Sequence, residues 1–151
     1  MSKSTVVGGV AVAAVVALKF LAKAGAFALV FGGAHVAADT YAASVTHVKA
    51  LAQDFNAKNQ DEQIEINEAG KVILHHVYLA DVNDQVLPDI DQNQMDQALQ
   101  ESKAEQIKDL RSQDATAANL DLVRRGWVEK YQYETLSHAY IASFTISKAD
   151  L

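Results

Sequence analysis

Residues 63–81 read QIEINEAGKVILHHVYLAD, and their pattern decides the fold of the acidic part of the chain. Ile64-Glu65-Ile66 alternates apolar and polar, Asn67 to Lys71 contains a turn-forming Ala69-Gly70, and Lys71 to Asp81 is rich in β-branched and aromatic residues. Alternation with a period of two sends successive side chains to opposite faces of a sheet, and a short Gly-containing gap between two such runs marks a hairpin. The stretch predicts two strands, with His75 and His76 pointing to opposite faces.

A second stretch echoes the first. Leu74-His75-His76-Val77-Tyr78-Leu79-Ala80 and Leu136-Ser137-His138-Ala139-Tyr140-Ile141-Ala142 share the pattern L-x-H-x-Y-[LI]-A. The alternation of His138, Tyr140, Ala142, Phe144 and Ile146 with the residues between them predicts a last strand, and Trp127 to Thr135 predicts the arm before it. Between the two strand regions lies a helical insert opened by Pro88 and Asp89, with Met95, Ala98, Leu99, Ile107 and Leu110 on a helix-period stripe. A shorter helix is expected over residues 115–125, with Gly126 as its cap.

Working toward the N-terminus, DTYAASVTHVKALAQDFNAKN carries apolar or small residues at Ala43, Val45, Val48, Leu51, Ala52 and Phe55, which is helical spacing, and Asn59 is its stop. That stripe must cover something, most simply the globular part that follows. Before it, residues 6–38 read VVGGVAVAAVVALKFLAKAGAFALVFGGAHVAA, in which Lys19, Lys23 and His35 are the only polar side chains. A segment that is apolar all round is deep core or membrane, and a chain of 151 residues has no core deep enough to hide it. The alternatives are a buried hairpin of two short helices inside an oligomer, or a signal peptide with a small-residue cleavage site at Val36-Ala37-Ala38.

As a single helix this segment would extend roughly 50 Å, against a hydrocarbon core of about 30 Å. Lys19 and Lys23 share a helix face and are read as membrane-interface residues whose ammonium groups snorkel to one boundary. The span then runs over residues 24–43, with the N-terminus in the cytoplasm and the acidic part on the non-cytoplasmic side; a span over residues 6–22 reverses this. Between Val6 and Ala43 alanine and glycine fill nearly half of the positions. Small side chains let helix backbones approach closely in lipid, so Gly25, Ala28, Leu29, Gly32, Gly33 and Ala37 are the expected helix-packing positions.

Charge follows the same division. The first 50 residues carry four lysines against the single acid Asp39, a balance of +3, so the remainder carries −9 and brings the whole chain to −6. That acidic remainder repels phosphate backbones, and nucleic acid is not an expected partner. Without cysteine, disulfide scaffolds, thiol catalysis and Cys-based zinc or Fe–S sites are excluded. Asp89-Ile90-Asp91-Gln92-Asn93 begins like a calcium loop, but Gln94 stands where the glycine belongs and Gln100 where the bidentate glutamate belongs. His76 and His138 could meet across a sheet, yet no third metal ligand is designated. No phosphate loop, nucleophile elbow or H-E-x-x-H is present. No catalytic, cofactor-binding or metal residue is therefore expected, and the chain is not expected to be an enzyme.

Together these patterns predict an α+β protein. A long N-terminal transmembrane helix continues into a stalk helix over residues 1–60, and a small acidic head over 61–151 packs antiparallel strands with one or two helices. The expected role is a single-pass structural or accessory subunit of a larger membrane assembly, either an envelope complex or a membrane-containing virus particle (virion). Its partners are the lipid bilayer and other membrane-protein subunits or copies of itself. The alternative is a membrane-anchored extracytoplasmic binding module for a small ligand, metal or peptide.

Overall fold

The computed structural model describes residues 40–80, 82–85, 87–113 and 117–151. In chain order these form α1 (Tyr41–Lys58), β1 (Glu62–Asn67), β2 (Val72–Leu79), a 3-10 turn (Leu87–Asp89), α2 (Gln92–Ser112), α3 (Ala118–Arg124), β3 (Val128–Thr135), β4 (Tyr140–Ile146) and a closing 3-10 turn (Lys148–Asp150). The fold is α+β, built on a four-stranded sheet of order β1-β2-β3-β4.

Helix ends follow from capping chemistry. Thr40 sits in extended conformation and its side chain accepts from the Ala43 N–H, so α1 starts after it. Asp91 accepts from the N–H groups of Asn93 and Gln94 and caps α2, which absorbs the residue that the calcium-loop reading would have needed as a ligand. At the end of α3 the Trp127 N–H bonds Leu122 O and the Gly126 N–H bonds Val123 O, the paired bonds of a Schellman motif. Gly126 has φ of +103°, and a Cβ there would meet nothing within 4 Å, so the backbone alone requires glycine. Gly126→Ala is expected to cost about 1–2 kcal/mol, read as a lowered urea midpoint, and an unchanged midpoint would contradict the role of that conformation.

The expected hairpin of β1 and β2 is present, antiparallel with Ile64 opposite His75. So is the hairpin of β3 and β4, with Tyr131 opposite Phe144. The two hairpins meet through β2 and β3, which run parallel, so the all-antiparallel head expected from the sequence is corrected to a mixed sheet. The reason lies in the connection: α2 and α3 carry the chain back along the sheet, and a crossover of that length returns it in the same direction.

All three helices lie on one face of the sheet. Val45, Val48 and Ala52 of α1 pack with Ile64, Ile73, Ala118, Leu122 and Trp127 in one apolar cluster. The α1 stripe thus covers the globular part that follows it and does not stand clear as a stalk. Trp127 is fully buried, and its indole N–H donates to the Tyr41 hydroxyl. A second cluster gathers Met95 and Leu110 of α2 with Val77, Leu79, Tyr131, Tyr133, Ala142, Phe144 and Ile146, and Leu99 and Ile107 pack at its margin. Burying each of the larger aliphatic side chains stabilises the fold by about 1.5–3 kcal/mol.

One element differs from its sequence reading. The last strand begins at Tyr140, because His138 takes a left-handed φ of 70° and closes the turn, its N–H bonded to Thr135 O. The register also shifts between Tyr133 and Glu134, and Ile141 is the extra residue of a bulge. Of the expected alternation, Ala142, Phe144 and Ile146 face the core, while Tyr140 is exposed. The echo between residues 74–80 and 136–142 therefore spans a strand in one case and a turn plus a strand start in the other.

Candidate functional site

β2 is a central strand, and its period of two splits the histidine pair as its sequence requires. His75 faces the helices and is fully buried, and His76 faces the open side of the sheet with its side chain 23% exposed. Each lies between two glutamates set diagonally on the neighbouring strands: Glu62 on β1 and Glu129 on β3 for His75, Glu65 on β1 and Glu134 on β3 for His76.

On the buried side, His75 Nε2 lies 3.3 Å from Glu129 Oε1 and His75 Nδ1 lies 3.7 Å from Glu62 Oε1. The imidazole stacks on the Tyr131 ring at 4.1 Å with 7° between planes, and Tyr131 stacks in turn on Phe144 at 5.0 Å. These three rings are direct cross-strand partners, so they form one ladder over β2, β3 and β4. Burial alone would lower the His75 pKa, but the hydrogen bonds and charges of Glu129 and Glu62 outweigh it and hold the group at about 9. His75 is an imidazolium at neutral pH, with a cation–π contact to Tyr131. Burial and the nearby carboxylates push the Tyr131 phenol well above its usual range, so it stays neutral.

The clamp sits on a seam. Along β2, Ile73 belongs to the α1 cluster and Val77 to the α2 cluster, and His75 stands between them. Other buried polar groups lie within the same layer: the Tyr131 and Tyr133 hydroxyls and the Asn119 amide make no hydrogen bond among the described residues.

On the open side, His76 Nδ1 is 2.5 Å from Glu134 Oε2 and Nε2 is 3.2 Å from Glu65 Oε2. Desolvation lowers its pKa, and hydrogen bonds to the Glu134 and Glu65 carboxylates, with their charges, reverse this and raise it above the ordinary histidine value. His138 does not join His76; it packs edge-on against Tyr78 with ring centroids 5.2 Å apart. Among the described residues no group of three or more His, Asp or Glu side chains has metal-holding geometry.

Chemically, both arrangements are clamps. Each histidine presents its two ring nitrogens to carboxylates on two different strands, tying β1, β2 and β3 together through side chains as well as through the ladder. A fully buried His75 offers no surface to a substrate.

The glutamates were not singled out in the sequence, although a signal exists. Glu129 falls between Trp127 and Tyr131 on what reads as the apolar side of its strand, and an acid there demands a cation opposite. The helix-packing residues Gly25, Ala28, Leu29, Gly32, Gly33 and Ala37 and the interface lysines Lys19 and Lys23 lie outside the described residues, as does the expected transmembrane span up to residue 39; residues 40–43 of that span form the cap and first turn of α1, where Tyr41 packs on the head. Among those described, no helix is long and apolar enough to cross a membrane. No family model, no curated protein and no solved structure matches the chain, so its function has to be read from its own residues.

Proposed function

We propose that the chain is a membrane-anchored structural or accessory subunit: a span drawn from the apolar segment before α1 crosses a bilayer and packs against other helices, and the acidic α+β head makes protein contacts on the non-cytoplasmic side. The observation that carries this reading is the segment itself, apolar all round apart from Lys19, Lys23 and His35 and dense in alanine and glycine. The helix that follows keeps small residues on one side, where Ala42, Ala43 and Ala50, with Thr46 and His47, line an open depression of about 410 Å³.

The test is extraction of the full-length protein in a mild detergent, with the mass of the particle and the identity of what travels with it determined together. Stoichiometric partners or a homo-oligomer are expected. Gly25→Leu combined with Gly33→Leu should weaken association by about 1–2 kcal/mol, a five- to thirtyfold fall in recovered partner. A clean monomer, or recovery unchanged by the double substitution, would count against lateral helix packing.

A further inference from the structure

The head is acidic as a whole, but its charge is divided between the two ends of the sheet. Val72, which begins β2, pairs with Val128, and Ile146, which ends β4, pairs with Glu129, so Lys71, Trp127 and Ser147 lie side by side at one end. The Val128 N–H bonds Lys71 O at 3.0 Å. The start of α1 is tied to the same place: the Trp127 indole donates to the Tyr41 hydroxyl at 3.2 Å, and the Ser44 hydroxyl donates to Asp121 Oδ2 at 2.6 Å.

Acids at this end already have cations. Glu68 pairs with Lys49, Asp121 with Arg125, and Asp150 with Lys103. Lys71, Arg124 and Lys148 are exposed and make no ion pair with another described residue, and Arg111 gives its guanidinium to the Asp150 carbonyl. The far end is the reverse. Asp61 precedes β1, Asp84 accepts from Ser137 in the β3–β4 turn, and Asp89 and Asp91 follow in the segment from β2 to α2, while Lys58 there is paired with Asp54.

We infer that the basic end of the head, with Lys71, Arg111, Arg124 and Lys148, rests on the anionic lipid headgroups of the membrane. Resting on the membrane-anchored reading above, this names the surface that the head presents to the bilayer. The occupant follows from where the chain enters. The apolar run ends at Ala38, and Tyr41 is already held by Trp127, so three residues, at most about 11 Å of chain, separate the two. With the span drawn from the end of that run, the basic end stands about one Debye length from the headgroups, roughly 10 Å at 0.1 M salt. Asp39 is the one acid in that connection. A negative surface attracts each Lys or Arg that faces it and repels the aspartates of the far end, so both ends turn the head the same way.

The test reconstitutes the full-length protein into vesicles of phosphatidylcholine, alone or mixed with phosphatidylglycerol at about 2:1. The chain has no cysteine, so a fluorophore is placed through Ala149→Cys at the basic end or Leu136→Cys at the far end, both exposed, and lipids with a nitroxide on the headgroup quench whichever lies on the surface. Quenching at 149 is expected to rise about threefold with phosphatidylglycerol while that at 136 stays low, and salt at about 1 M, which cuts the Debye length to about 3 Å, should remove the rise. Lys71→Gln, Arg124→Gln and Lys148→Gln together should remove it too, in a head whose Trp127 keeps its buried emission; if that emission shifts, the salt result decides alone. An equal rise at both positions, or one that persists in high salt, overturns the inference. Retention of the chain in carbonate-washed vesicles with no rise overturns it and leaves the inserted span standing. Release by carbonate of a chain that still shows the salt-sensitive rise at 149 supports it and removes the span instead, and a chain that binds neither vesicle overturns both.

Discussion

Replacing His75 with alanine is expected to lower the unfolding free energy by about 3–5 kcal/mol, because it leaves Glu62 and Glu129 facing each other with no cation between them. The imidazole and Glu129 are at most 1% exposed, so solvent does not screen the loss. Trp127, the only tryptophan and fully buried, supplies the signal: urea titration of the full-length protein, followed by its emission, gives the midpoint directly. His76→Ala, on the open face, should cost no more than about 1 kcal/mol, since a pair that water reaches gains little. A His75→Ala midpoint indistinguishable from that of His76→Ala would mean that the buried clamp holds nothing. Changing His75, Glu62 and Glu129 together to leucine should recover much of the loss, because an apolar trio leaves no charge unpaired.

The second large effect is a loss of stability in mild alkali. His75 has a folded pKa of about 9 against 6.5 when unfolded. A raised pKa means that the folded state holds the proton more tightly. The contribution is therefore complete below pH 6.5 and disappears as pH climbs through 9. The difference amounts to about 3 kcal/mol, from roughly 1.4 kcal/mol per pH unit. His76, also raised, adds a smaller change of the same sign. Tyr131 and Tyr133 are shifted upward by burial and stay neutral across this window. Toward acid the slope reverses through Asp150, whose pKa is lowered by the Ser147 backbone N–H and by Lys103, so its contribution fades as pH falls. Urea midpoints at pH 6 and pH 9.5 decide the matter. A wild-type profile that is flat, or as steep as that of His75→Ala, would remove His75 as the cause.

Local signals in the sequence located the elements well. Ala69-Gly70 marked the first hairpin, Gly126 the end of α3, and the 95/98/110 spacing the buried stripe of α2. What they share is that the deciding interaction lies within a few residues along the chain. The opposite orientation of His75 and His76 was legible for the same reason, since a strand's period is local.

The partners of those histidines were not. Glu129 is 54 residues from His75 and Glu134 is 58 from His76, and both pairings depend on β2 and β3 running parallel in one particular register. No pattern within either strand specifies that register. The His138 error has a different origin: period-two alternation extends through the turn, and nothing in the letters announces the left-handed φ that ends the strand.

The parallel junction between the two hairpins also orders events in time. Each hairpin closes a short loop, at little entropic cost, and can form early and on its own. β2 and β3 meet only after the chain between them has folded back, and the His75–Glu129 contact closes once the two strands have docked. A contact made that late is largely absent from the folding transition state. Breaking it should leave the folding rate nearly unchanged and accelerate unfolding instead, so the clamp governs how long a folded head lasts more than how quickly it is made.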